Sequence, residues 1–158
     1  MDTNIEGLIA KMERSRTRLN AVLEKVTPQA EIYPNWKVKQ VMDHIAGWDE
    51  LVYLSLSAYS LGEKPSVSVK GGIDHYNAES VAARKALSLE QSRQAYDAAR
   101  ERVLEILREL PLEMLSKKYP APWGGMCTVN SIVKIFASHE LEHAKQIEEV
   151  LKNSTTGN

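Results

Sequence analysis

Three of the four histidines in this 158-residue chain, His44, His139 and His143, have the types and spacing that chemistry needs. His139 and His143 lie four apart, one helical turn. Around them Ile132, Phe136, Ile147 and Val150 continue the same intervals of three and four. At about 100° per residue, this stripe lies within about 60° of Phe136, so both imidazoles occupy core positions. Glu140 falls about 40° to the other side and also faces inward, while Glu142 points away. His44 stands in another helical pattern, at the flank of the stripe Val38, Val41, Met42, Ile45, Trp48, Val52 and Tyr59. If the two helices run antiparallel, all three imidazoles reach nearly one level.

A single buried histidine is most simply a hydrogen-bonded core residue. Three converging ones are different, because each unsatisfied buried polar group costs about 1–3 kcal/mol. A divalent cation held by neutral imidazole nitrogens removes that cost. Three protein ligands leave a coordination position for water or substrate, the catalytic arrangement, and Glu140 is the candidate proton acceptor. The segment also matches the H-E-x-x-H pattern of zinc proteases. Those enzymes usually take a third ligand downstream, and here no histidine follows His143.

Four amphipathic helices must position these groups. The first spans about Thr3 to Val26. The second runs from Trp36 to Leu61 with Asn35 as its cap. The third follows a Ser88–Gln91 capping box to Leu110, and the fourth runs from Val129 to Lys152 behind Thr128. Gly47 costs the second helix about 1 kcal/mol relative to alanine, which suggests close packing there. Between helices two and three, GEKPSVSVKGGIDHYN reads as a long loop and AESVAARKAL as a short helix; SVSVK is a lone β-like run. A connection of that length predicts a crossover that leaves helices two and three parallel. The fold class is therefore all-α, a four-helix bundle forming one domain over 1–158, with a frayed polar tail from about 153 to 158.

Charged side chains balance, 20 basic against 21 acidic, and the hydrophobic fraction of 43% is ordinary for a soluble protein. Neither nucleic acid nor a membrane surface is expected as a partner, and the N-terminal charges and lack of a long apolar run suggest a cytoplasmic protein. Cys127, the one cysteine, has no obvious activating neighbour, so a thiol nucleophile would be exogenous. Lys117, Lys118 and the basic residues of the first helix read as solvated faces.

In element order the chain resembles the DinB/YfiT-like superfamily, including its ClbS/DfsB-like branch. The resemblance is carried by Trp36 with Val41-Met42-Asp43-His44-Ile45-Ala46-Gly47-Trp48, by Thr128-Val129, and by His139-Glu140-Leu141-Glu142-His143-Ala144-Lys145-Gln146-Ile147. Ile73-Asp74-His75-Tyr76-Asn77 and Pro122-Trp123-Gly124 are similar to segments of the branch. The resemblance implies an up-down-down-up bundle and a metal, usually nickel or zinc, on His44, His139 and His143. It also implies a small-molecule transferase or hydrolase that can use a low-molecular-weight thiol, and often a homodimer. Tyr33, His75, Tyr76 and Asn77 would lie near the mouth of the site. Trp48 and Asn77 are the candidate substrate-facing residues, with core packing for Trp48 and loop hydrogen bonds for Asn77 as the alternatives; Trp123 reads as a loop anchor. The competing function is a non-enzymatic ligand-binding bundle whose metal site is structural or vestigial.

Overall fold

A computed structural model describes residues 4–65, 69 and 71–156, the last three by backbone alone. Helix α1 covers Ile5–Glu24, with Asn4 accepting from the Gly7 N–H at 2.6 Å. Its buried face is the predicted one, Leu8, Met12, Leu19 and Leu23 among others. Helix α2 covers Val38–Ser60 and starts two residues later than expected. The cause is local. Asn35 has φ +67° behind Pro34, and the Trp36 N–H closes on the Tyr33 carbonyl at 2.8 Å. Proline followed by a left-handed asparagine makes a type II turn, so Asn35 bends the chain rather than capping the helix. Lys37 takes the cap position, with Gln40 Oε1 accepting from its N–H at 2.8 Å.

Helix α3 covers Ile73–Ala83, so His75, Tyr76 and Asn77 are helical where a loop was expected. It docks where Gly47 leaves room: a Cβ there would come within 2.5 Å of Ser80 Oγ, and the Tyr76 hydroxyl donates to the Gly47 carbonyl at 2.7 Å. Helix α4, Leu89–Glu109, begins at the predicted Ser88–Gln91 box. A 3₁₀ turn at Leu112–Met114 leads to a small antiparallel hairpin, β1 Tyr119–Pro120 with β2 Met126–Cys127, where only loop was expected. Helix α5, Val129–Thr156, starts behind Thr128, whose hydroxyl accepts from the Ser131 N–H at 3.0 Å. It continues past Lys152 through the polar segment read as frayed, and 157–158 lie outside the described residues. So does SVSVK except for Val69.

Cross-helix pairs give the directions. Arg16 meets Glu140 and Arg18 meets Glu148, so α1 and α5 are parallel. Asp49 meets Arg100 and Tyr53 meets Arg102, so α2 and α4 are parallel. His44 meets His143 and Trp48 meets Phe136, so α2 opposes α5. This is the up-down-down-up bundle, with α3 in the crossover from α2 to α4.

The apolar interior falls into two clusters. One holds Met12, Leu51, Leu56, Val103 and Ile132; the other holds Leu19, Met42, Ile45, Tyr96 and Ile147. On α1, α4 and α5 a polar step separates them, Ser15 and Arg16, Arg100, and His139 with Glu140 and His143; on α2 His44 and Asp49 flank the boundary at Gly47. Among the described residues, no helix is long and apolar enough to cross a membrane.

Candidate metal centre

On the α2–α5 side of that polar layer the three imidazoles converge. His44 Nε2 and His143 Nε2 are 3.1 Å apart, His143 Nε2 and His139 Nε2 are 3.0 Å apart, and all three can present ligand atoms within 4.8 Å of one another. Tetrahedral zinc, with Zn–N near 2.0–2.1 Å, needs its nitrogens about 3.3–3.4 Å apart, so small rotations would seat an ion. The electrostatics favour it too. Burial, then the facing His143 and His139, push the His44 pKa down to about 3, with the Asn77 side chain opposing weakly. Burial, then His139, take His143 down to about 4. His139 is lowered by burial, with Asp49 opposing. All three are thus neutral near pH 7 and have lone pairs to offer.

Tyr33 orients one of them. Its hydroxyl donates to Gln146 Oε1 at 2.6 Å and lies 2.7 Å from His143 Nδ1. The hydroxyl has one proton and Gln146 takes it, so the His143 Nδ1–H must donate to the tyrosine oxygen. That tautomer leaves the His143 Nε2 lone pair facing its two neighbours. Burial, then Glu142, raise the Tyr33 pKa to about 12, so the phenol keeps its proton. The type II turn that displaced the start of α2 also sets the Tyr33 ring edge-on to His143 at 5.6 Å, and Trp36 lies 5.0 Å from His44. His44 Nδ1 is buried and makes no hydrogen bond among the described residues.

Glu140 does not join the imidazoles. Its carboxylate accepts from Arg100 Nη2, from Arg16 Nη2 at 3.3 Å and Nε at 3.4 Å, and from Ser15 Oγ at 3.4 Å. Asp49 completes the group, 2.7 Å from Arg16 Nη2 and 3.1 Å from Arg100 Nη2. Arg16 also stacks 3.8 Å from the Tyr96 ring centre. A carboxylate enclosed by two guanidiniums is a structural acceptor, and the expectation of a proton-accepting Glu140 does not fit this geometry. Nor is Arg16 on a solvated face: it is 8% exposed. The signal was present in the sequence, since Arg16, Asp49, Arg100 and Glu140 each interrupt an inward stripe.

A cavity of about 330 Å³ opens beside the imidazoles, bounded by Trp48, Val69, Ile73, Trp123, Phe136 and His139. Trp48 is buried in the core and also forms part of this wall. Asn77 Oδ1 accepts from Trp48 Nε1 at 2.7 Å, which makes it a support for the wall. Trp123, expected as a loop anchor, also lines the cavity, at 41% exposed. His75 stands apart, paired with Glu79 at 3.1 Å on α3. Cys127 is buried against the Tyr59 hydroxyl at 3.3 Å.

The DinB superfamily model matches residues 11–147. The chain belongs to the DinB superfamily. Comparison with curated protein sequences gives no match. Among solved structures, this DinB chain is similar to the colibactin self-resistance protein ClbS in complex with double-stranded DNA, at TM-score 0.77 and 16% identity over 96% of this chain and 98% of that one. It is similar to a mycothiol-dependent maleylpyruvate isomerase at TM-score 0.75 and 13% identity, over 91% of this chain but 60% of the isomerase. It is also similar to an uncharacterised protein from Escherichia coli UTI89, at TM-score 0.77 and 10% identity over 98% and 96% of the two chains. At such identities the likeness establishes a shared fold. One expectation is corrected by it: nucleic acid cannot be dismissed as a partner on balanced charge, because a protein of this fold is seen with duplex DNA.

Proposed function

We propose that this DinB protein is a metal-dependent enzyme acting on a small molecule, with His44, His139 and His143 as ligands of a divalent nickel or zinc ion. The observation that carries the reading is the convergence of three imidazoles, one of which, His139, lines the adjoining cavity. Bound there, the ion would supply Lewis acidity and lower the pKa of a water or thiol that joined it. The chain's own residues hold and orient. Tyr33 and Gln146 keep the His143 Nε2 lone pair turned inward, Trp48 walls the substrate space, and Asn77 fixes Trp48.

With Cys127 buried against Tyr59, a thiol nucleophile would be a low-molecular-weight co-substrate, a reading supported by the mycothiol-dependent relative. Thiol transfer and hydrolysis are both compatible with the site. The protease reading loses its base, because Glu140 is enclosed by arginines.

The test is metal content. Untagged protein, stripped with chelator and titrated with nickel or zinc, is expected to take up about one equivalent, and His139→Ala to weaken uptake by about 100-fold or more. No stoichiometric uptake by the wild-type chain would overturn the reading.

A further inference from the structure

We infer that the substrate of this site is a small molecule with an uncharged, flat apolar body and one polar head, the head lying at His139. The inference rests on the metal reading for the head and on the cavity for the body. Among the described residues no charged side chain borders the space, and the titratable side chain on its wall is His139. Two other clefts of the bundle differ. One between α2 and α4 is lined by Glu50, Arg84 and Arg102, and one between α1 and α4 by Glu13, Arg16, Asp97, Arg100 and Glu101.

The shape of the wall selects further. Phe136 sits between two indoles, its ring centre 5.3 Å from Trp48 and 6.3 Å from Trp123, each tilted against it. Aromatic faces and edges at such spacings receive another flat ring by offset or edge contacts. At the mouth, Ile73 from α3, Ile135 from α5 and Trp123 from the hairpin loop are 61%, 48% and 41% exposed. Three large apolar side chains from three separate elements converge on this opening beside the candidate metal centre. Its volume of about 330 Å³ falls in the range of ligand pockets, about 300–1,000 Å³. A multiply charged body would lose its hydration here and gain no charged partner from the described wall.

The experiment compares two hydroxamates on nickel-loaded protein by calorimetry. Benzohydroxamate carries an aromatic body on a chelating head, and acetohydroxamate carries the same head with a methyl. Benzohydroxamate is expected to bind about ten-fold more tightly, the gain from burying a phenyl group. Ile73→Glu and Trp123→Ala should each shrink that gap by about three-fold with nickel uptake unchanged. Ile73 is an exposed first-turn residue of α3, where a carboxylate suits the helix dipole, so the fold is retained. Fluorine NMR of 4-fluorobenzyl alcohol on metal-free protein provides the second arm. Binding that is weakened about three-fold in Ile73→Glu supports the cavity even if no metal is taken up, which separates failure of the metal reading from failure of this one. Equal hydroxamate affinities on nickel-loaded protein would overturn the proposal, as would alcohol binding that Ile73→Glu leaves unweakened. So would an Ile73→Glu effect confined to sedimentation, because the mouth would then be a contact between two copies of the chain.

Discussion

Two polar groups share the middle of this bundle, and they are built on opposite terms. Arg16, Asp49, Arg100 and Glu140 carry two positive and two negative charges, and each partner is met by another member. His44, His139 and His143 carry neutral rings, their nitrogens turned toward one another, and among the described residues His44 Nδ1 makes no hydrogen bond. The two groups interlock in the sequence, since Glu140 lies between His139 and His143 on α5. A polar cluster that satisfies itself holds helices together. One that faces inward with spare lone pairs can hold a metal ion.

That contrast is open to test, and the largest effect is expected in the ion network. Glu140→Gln leaves two guanidiniums against one carboxylate, and breaking a buried pair costs about 3–5 kcal/mol. Urea unfolding of metal-free protein should show that loss, whereas His139→Ala should cost about 1 kcal/mol or less. The reverse order would collapse the distinction between the groups.

Next comes Tyr33→Phe, which removes the oxygen that receives the His143 Nδ1–H. Loss of such an outer partner lowers metal affinity by about 10–100-fold, with unfolding of metal-free protein shifted by only about 0.5 kcal/mol. A variant with unchanged nickel or zinc affinity would remove Tyr33 from any role in the centre.

A third test lies in the pH dependence of metal-free protein. The folded pKa values of His44 and His143, about 3 and about 4, lie below the ordinary 6.5, and that of His139 is also lowered. The unfolded chain therefore binds more protons between those limits. Their contribution is complete above pH 6.5 and declines as pH falls through that window, by up to about 1.4 kcal/mol per pH unit for each histidine. His44→Phe should flatten the wild-type slope by about that amount. An unaltered slope would mean that His44 is solvated when folded.

Much of the site was legible because helical periodicity is a strong signal. It placed His139 and His143 on one inward face and brought His44 level with them once the long crossover set α2 against α5. The Ser88 and Thr128 caps were legible for the same reason, being short-range chemistry. Periodicity was less able to say what an inward carboxylate meets. Glu140 was correctly turned to the core, but its partners come from helices 124 and 40 residues away in sequence. Only tertiary packing shows that they are arginines. The turn at Asn35 was misread because asparagine serves both as a helix cap and as a left-handed turn residue, and the preceding proline was the feature that decided between them.

The pairing of α1 with α5 also has a consequence for synthesis. His44 meets His143 across 99 residues, and Arg16 meets Glu140 across 124. While the chain is being made, α1, α2 and α4 leave the ribosome before the helix that completes either polar group. Until α5 arrives, Arg16, Arg100 and Asp49 have one carboxylate between two cations, and His44 has no imidazole to face. Contacts so far apart in sequence close late, so folding of this bundle should end with α5 docking rather than proceed helix by helix.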